Sequence, residues 1–231
     1  MQKILYGLLV LVPIALVLAM RGAADPVVFV TSALALVPLA ALLGRATDAV
    51  AGYTGPRLGA LLNATFGNAA ELIITTAALR QGLIGVVKAS IAGSVIGNIL
   101  IVFGAAALIG GLKHGTQTFN VRIATTNAGL MGLAVVSLVI PAVFGFGVPD
   151  RQLSRSDLEG LSVGVAVALM TAYVLYLVYS MRRRPNVTEQ VAEVEPEMTL
   201  PAAISLLAGA TIGIVVMSEI LIRVFEPTAR A

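Results

Sequence analysis

The 231-residue chain contains no cysteine. Disulfides and thiolate metal centres are therefore excluded, and the redox state of its compartment cannot be read. Histidine is nearly absent too: His114 stands alone and cannot build a histidine metal cluster. Charge is equally scarce. Asp, Glu, Lys and Arg make up 12% of the chain, against roughly 25% in a soluble domain. So little polar surface cannot cover a water-soluble body, and lipid must be the solvent for much of it. The net charge of +3 and the isoelectric point near 9.5 do not mark a nucleic-acid-binding protein. The basic residues are scattered singly between apolar runs, apart from Arg182, Arg183 and Arg184. No serine–histidine, paired-aspartate or metal–histidine arrangement supports an enzyme, and nothing calls for a cofactor.

What is present is hydrophobic sequence, 58% of the chain, with a mean hydropathy of +0.96. It falls into apolar segments at about 4–20, 27–44, 58–79, 86–110, 123–147, 158–181 and 200–225. Each approaches the ~20 residues needed to span a hydrocarbon core. Helices are the expected form, because backbone in lipid must satisfy its own hydrogen bonds. The fold class expected is all-α, a polytopic membrane protein with about seven transmembrane helices. The first segment resembles a signal peptide, with Lys3 ahead of an apolar run and Gly22, Ala23 and Ala24 behind it. That run is long for a cleaved signal, so residues 1–22 are expected to stay as a helix. Asp25-Pro26, Thr54-Gly55-Pro56 and Pro149-Asp150 punctuate the chain as turns. Residues 182–198 differ from the rest: three arginines and Pro185 precede Glu189, Glu193, Glu195 and Glu197. This is the one linker, and its arginines favour the cytoplasmic side.

The chemistry concentrates in the third and fourth segments. Glu71 lies within an apolar stretch, where a carboxylate costs about 2.5–3.5 kcal/mol on insertion scales and is expected to face a protein interior. Asn68 precedes it by three residues and Thr75 follows by four, which places all three on one helical face. Gly67 permits a close backbone approach or a helix break, which would turn carbonyl oxygens toward an ion. In the fourth segment Ser90, Ser94 and Asn98 recur every four residues as a polar stripe. Gly93 and Gly97 offer positions where another helix can come close. Such polar residues also glue membrane helices together, so the stripe has a packing reading as well as an ion-binding one. The two segments supply carboxylate, amide and hydroxyl oxygens, a set that suits a hard cation such as Ca²⁺. Glu71 can also hold a proton, and competition between proton and cation for one carboxylate is the basis of exchange. Glu219, near the end of the last segment, reads as a terminal residue rather than an ion ligand.

The run Leu61-Leu62-Asn63-Ala64-Thr65-Phe66-Gly67-Asn68-Ala69-Ala70-Glu71-Leu72-Ile73-Ile74 resembles the calcium/proton exchanger family of the calcium/cation antiporter superfamily. So do Leu42-Leu43-Gly44-Arg45 before it and Val87-Lys88-Ala89-Ser90, Gly93-Ser94, Asn98-Ile99-Leu100 and Gly110-Gly111-Leu112 after it. The resemblance implies one extra N-terminal helix and two inverted five-helix repeats joined by an acidic cytoplasmic segment. Mapped here, residues 1–22 are the extra helix and 23–181 the first repeat, with its alpha-repeat at about 58–110. Residues 182–198 are the linker, and 199–231 the opening helix of a truncated second repeat: an incomplete inverted-repeat antiporter fold. The implied activity is exchange of Ca²⁺ for H⁺, with Glu71 the cation- and proton-binding carboxylate and Gly67, Asn68, Ser94 and Asn98 around it. Asp48 stands where the family usually has glutamate. No second Gly-Asn-Ala-Ala-Glu-like motif follows, so the half-site is expected to need a partner. That partner is the rest of a longer chain, a second half-transporter chain or another copy in a homo-oligomer. Sodium-coupled exchange and a transport-inactive fragment or subunit are the alternatives. The expected location is a prokaryotic inner membrane, crossed several times.

Overall fold

The computed structural model describes residues 2–119, 121–147, 155–182 and 198–230. All regular structure among them is helical. All seven apolar segments fold as helix, but among the described residues only five helical stretches are long and apolar enough to cross a membrane. These are Asp25–Gly55, Ile84–His114, Ala124–Phe144, Ser156–Tyr179 and Leu200–Arg230. The first and third segments are broken helices. Segment one divides into α1 (Gln2–Leu8) and α2 (Leu11–Met20). Its break falls at Leu9, the residue four before Pro13, where a proline ring removes a hydrogen bond and crowds the carbonyl.

α3 (Asp25–Phe66) begins with Asp25-Pro26, not a loop but a helix start: the acid complements the helix dipole, and proline is tolerated in the first turn. Thr54-Gly55-Pro56 is likewise a kink within one long helical run rather than a loop. Pro56 disfavours helical geometry in the residue before it, and Gly55 takes φ 79° and ψ 169°. That region is essentially closed to residues with a Cβ and costs of order 1–3 kcal/mol when forced. Gly55→Ala is therefore expected to destabilise the detergent-solubilised chain by about 1–3 kcal/mol, read as a lowered thermal transition by circular dichroism.

After α3 come α4 (Ala69–Arg80), α5 (Ile84–Gly97), a π-helix (Asn98–Phe103) and α6 (Gly104–His114). α7 (Val121–Gly147), α8 (Arg155–Arg182), α9 (Leu200–Arg223) and α10 (Phe225–Arg230) complete the order. The acidic linker lies outside the described residues apart from Arg182 and Met198, as does Pro149-Asp150. The chain forms two compact units, Met1–Gly104 with Val187–Ala231, and Ala105–Asn186. In the second unit α7 and α8 pair, and Tyr176 donates to the Asn127 side-chain oxygen at 3.3 Å.

The first unit is organised around α9, which runs antiparallel to the first part of α3. Ala35, Leu36, Leu39, Leu42 and Leu43 of α3 meet Ala210, Ile214 and Met217 of α9, with Ala15 of α2 alongside. Small residues let the backbones approach, the main source of helix association where lipid tails are as apolar as leucine. Close packing is evident at Gly213, where an added Cβ would stand 2.8 Å from a Leu39 methyl. At the other end of the pair Tyr53 donates to the Met198 carbonyl at 3.0 Å, fixing the start of α9 beside the kink.

Candidate metal-ion site

The sequence leaves Gly67 two readings, a close backbone approach or a local helix break; the structure takes the second, with α3 ending at Phe66 and α4 beginning at Ala69. The Gly67 amide still bonds to the Asn63 carbonyl at 2.9 Å, and Asn68 turns back to Thr65 at 3.3 Å. Asn68 then departs from helical geometry (φ −109°, ψ 8°), and α4 starts afresh at Ala69. A Cβ on residue 67 would lie 2.5 Å from the Asn63 carbonyl oxygen, so only glycine allows the chain to close so tightly here. Asn68 consequently sits outside the helix that carries Glu71. Its side-chain amide donates to the Ala64 carbonyl at 2.9 Å, satisfying a backbone group at the end of α3. Its amide oxygen is left as an acceptor. Among the described residues no backbone amide donates to the Gly67 carbonyl.

Glu71 falls in the first turn of α4. The break thus sets a carboxylate at the positive end of a short helix, which favours negative charge there. α4 buries one side: Ala69, Ala70, Ile73 and Ile74 pack against the α3–α9 core, and Ala77 and Ala78 continue the stripe with Ile222. At 100° per residue, Glu71 and Thr75 lie roughly 110–150° around the helix from the centre of that stripe. The polar face of α4 therefore turns away from the core of its own unit. Glu71 is half-buried and Asn68 exposed. Among the described residues the Glu71 carboxylate makes no hydrogen bond or ion pair. Thr75 spends its hydroxyl on the Glu71 carbonyl at 2.7 Å, so it steadies the first turn instead of pointing a free donor outward.

Gln81–Leu83 joins α4 to α5 in a tight hairpin, closed by Leu83 bonding to the Ala78 carbonyl at 3.0 Å. Leu83, Val86 and Val87 pack beside Ala77 and Ala78. Glu71 lies nine residues before the end of α4, and Ser94 ten after the start of α5. At 1.5 Å per residue both stand roughly 14 Å from the turn, so the hairpin brings them to similar depth. Ser90 and Ser94 are half-buried and Asn98 exposed. None of the three makes a side-chain hydrogen bond among the described residues. Gly93 and Gly97, read as close-approach positions, stand in open space: a Cβ added at either would have no neighbouring atom within 4 Å.

Sequence reasoning did not find the π-helix that begins at Asn98, the last member of the polar stripe. Its wider turn is a feature often seen at functional sites. Its apolar composition, Asn-Ile-Leu-Ile-Val-Phe, carries no signal for it. No group of three or more His, Cys, Asp or Glu side chains capable of holding a metal occurs among the described residues. Glu71 is the charged member of the predicted set, and Gly67, Asn68, Ser94 and Asn98 offer neutral oxygens from the break and from the neighbouring helix. Such a set fits a hard cation passing through, with the rest of its 6–8 oxygens supplied by water or another surface.

Comparison with known proteins agrees in sequence and in fold. Residues 25–182 match the family model described as sodium/calcium exchanger protein. A Ca²⁺/H⁺ antiporter of Synechocystis sp. is 39% identical over 97% of this chain and 65% of its own length. A vacuolar calcium ion transporter of Schizosaccharomyces pombe is 36% identical over 93% of this chain and 53% of its own. The structure of native YfkE superposes with a TM-score of 0.80 at 34% identity, covering 98% of this chain and 63% of that one. The chain thus spans less than two thirds of these relatives. The family match begins at the Asp25 helix start and takes in the Gly67-Asn68 break, Glu71 and the α5 stripe, and with it the chain belongs, as an integral multi-pass membrane protein, to the sodium/calcium exchanger family.

Proposed function

We propose that this chain carries the first half-site of a Ca²⁺/H⁺ antiporter, with Glu71 the carboxylate that holds the cation and the proton in turn. The observation that carries this reading is the carboxylate at a helix break, without a protein partner among the described residues and facing away from its own core. A buried acid serving only structure would be paired. Gly67 and Asn68 supply oxygens from the break, and Ser94 and Asn98 supply them from the neighbouring helix. Ca²⁺ and a proton cannot occupy Glu71 together, because protonation removes the charge that neutralises the metal. Alternating occupancy then couples two opposite fluxes, once the site faces each side of the membrane in turn.

The open polar face of α4 also favours a completed site, in which a second surface contributes the remaining oxygens. The organisation that follows takes residues 23–181 as a first repeat, and α9 as the opening of a second that packs back on the first. The test is Ca²⁺ uptake into proteoliposomes under an imposed pH gradient. One sample carries the chain alone, and another the chain with the portion of the Synechocystis relative that it does not span. Uptake in the second sample, collapsing when the pH gradient is dissipated, is the expected result. Uptake driven by a Na⁺ gradient and indifferent to pH would instead favour sodium coupling.

A further inference from the structure

The first unit also brings two opposite charges together at helix ends, away from the Glu71 break. A cavity of about 140 Å³ lies between the turn that follows α2, the start of α3 and the end of α9. Asp25 and Arg223 both line it, and Ala19, Val28, Ile220 and Val224 supply apolar walls. Asp25 opens the candidate span Asp25–Gly55, and Arg223 closes α9 within the candidate span Leu200–Arg230, so the two charges meet at helix ends on one side of the α3–α9 pair. Each charge complements the dipole of its own helix. That accounts for their signs, but not for both facing one cavity. Among the described residues, Asp25 and Arg223 make no ion pair with each other.

We propose that this cavity seats the zwitterionic head of a phospholipid bearing a primary ammonium, the ammonium against Asp25 and the phosphate against Arg223. An opposed acid and base around one cavity match a ligand carrying both charges a few bonds apart. The guanidinium fork suits phosphate, and the carboxylate suits an N⁺–H donor. A quaternary ammonium has no N–H to donate, and a headgroup with no cation leaves Asp25 unpaired. The apolar walls fit the glycerol end of the lipid rather than a free ion, and a place between the ends of two helices that belong to candidate membrane spans favours a bilayer component over a solute.

The purified 231-residue chain, titrated in detergent with phosphatidylethanolamine, phosphatidylcholine or phosphatidylglycerol of equal chain length, tests this by native mass spectrometry. Phosphatidylethanolamine is expected to be retained about tenfold more tightly than either alternative, the worth of one charge-assisted hydrogen bond. Asp25→Asn and Arg223→Gln are each expected to erase that preference, while Arg21→Gln keeps it. Circular dichroism confirms that the variants fold, and the wild-type ranking of the three lipids stands as a test even if they do not. Equal retention of all three lipids, or a preference that survives both substitutions, overturns the proposal.

Discussion

Glu71→Gln is expected to abolish pH-driven Ca²⁺ uptake, bringing the flux of the completed assembly down to that of protein-free vesicles. Two losses combine. The neutral amide removes a charge-assisted contact worth about 1.5–3 kcal/mol, roughly 10–100-fold in cation affinity. It also removes the proton site itself, so even a bound cation would have no counter-ion to exchange with. Fold is not at stake: Gln is close to isosteric with Glu, and the carboxylate has no protein partner among the described residues. Glu71→Asp keeps charge and proton but withdraws them by one methylene, so reduced uptake is expected to remain. Uptake by Glu71→Gln at the wild-type rate would refute the assigned role of this side chain.

Gly67→Ala is expected to be nearly as damaging, by geometry instead of charge. Its Cβ would meet the Asn63 carbonyl oxygen at 2.5 Å. The obstacle is backbone, which cannot swing aside as a flexible side chain would. Either the end of α3 unwinds, or Asn68 and the first turn of α4 move. Either response displaces Glu71 relative to Asn68 and the α5 stripe, and misplacement of about 1 Å is enough to cost on the order of 100-fold in a site that depends on position. A loss of roughly ten- to a hundredfold in uptake is therefore expected, with helical content unchanged by circular dichroism. Gly93→Ala is the matched control. It lies beside Ser94, but an added Cβ there has open space, so uptake near the wild-type level is expected. If the two alanines behave alike, the break is not what positions the carboxylate.

The helices and the charged residue of the candidate site were legible in the sequence for the same reason: lipid allows few exceptions. Runs of about 20 apolar residues read directly as helices, and a carboxylate inside one stands out. Gly67 was legible as permission for a break. Its consequence for Asn68 was not, because 100° periodicity assumes one continuous helix, and the amide instead serves the end of α3. The docking of α9 was hidden for another reason. Val30, Leu34 and Val37 of α3 are about half exposed, while Leu36, Leu39 and Leu43 are buried. All are equally apolar, so hydrophobicity cannot tell the protein-facing side of a membrane helix from the lipid-facing side. The readable trace is the row of small residues, Ala35, Ala46 and Ala49 against Ala203 and Ala210, all buried.

The union of α3 with α9 also sets an order of events during synthesis. Tyr53 and its partner Met198 are 145 residues apart. A ribosome adds roughly 5–20 residues per second, so α3 enters the bilayer on the order of ten seconds before α9 exists to meet it. Throughout that wait α2 and α4 can already pack on the Ala35–Leu43 ridge, but the side that α9 will cover has only lipid or the insertion machinery for company. Nascent chains arrested before residue 200 are accordingly the ones that would cross-link from this ridge to an insertase, and release from it should coincide with the emergence of α9.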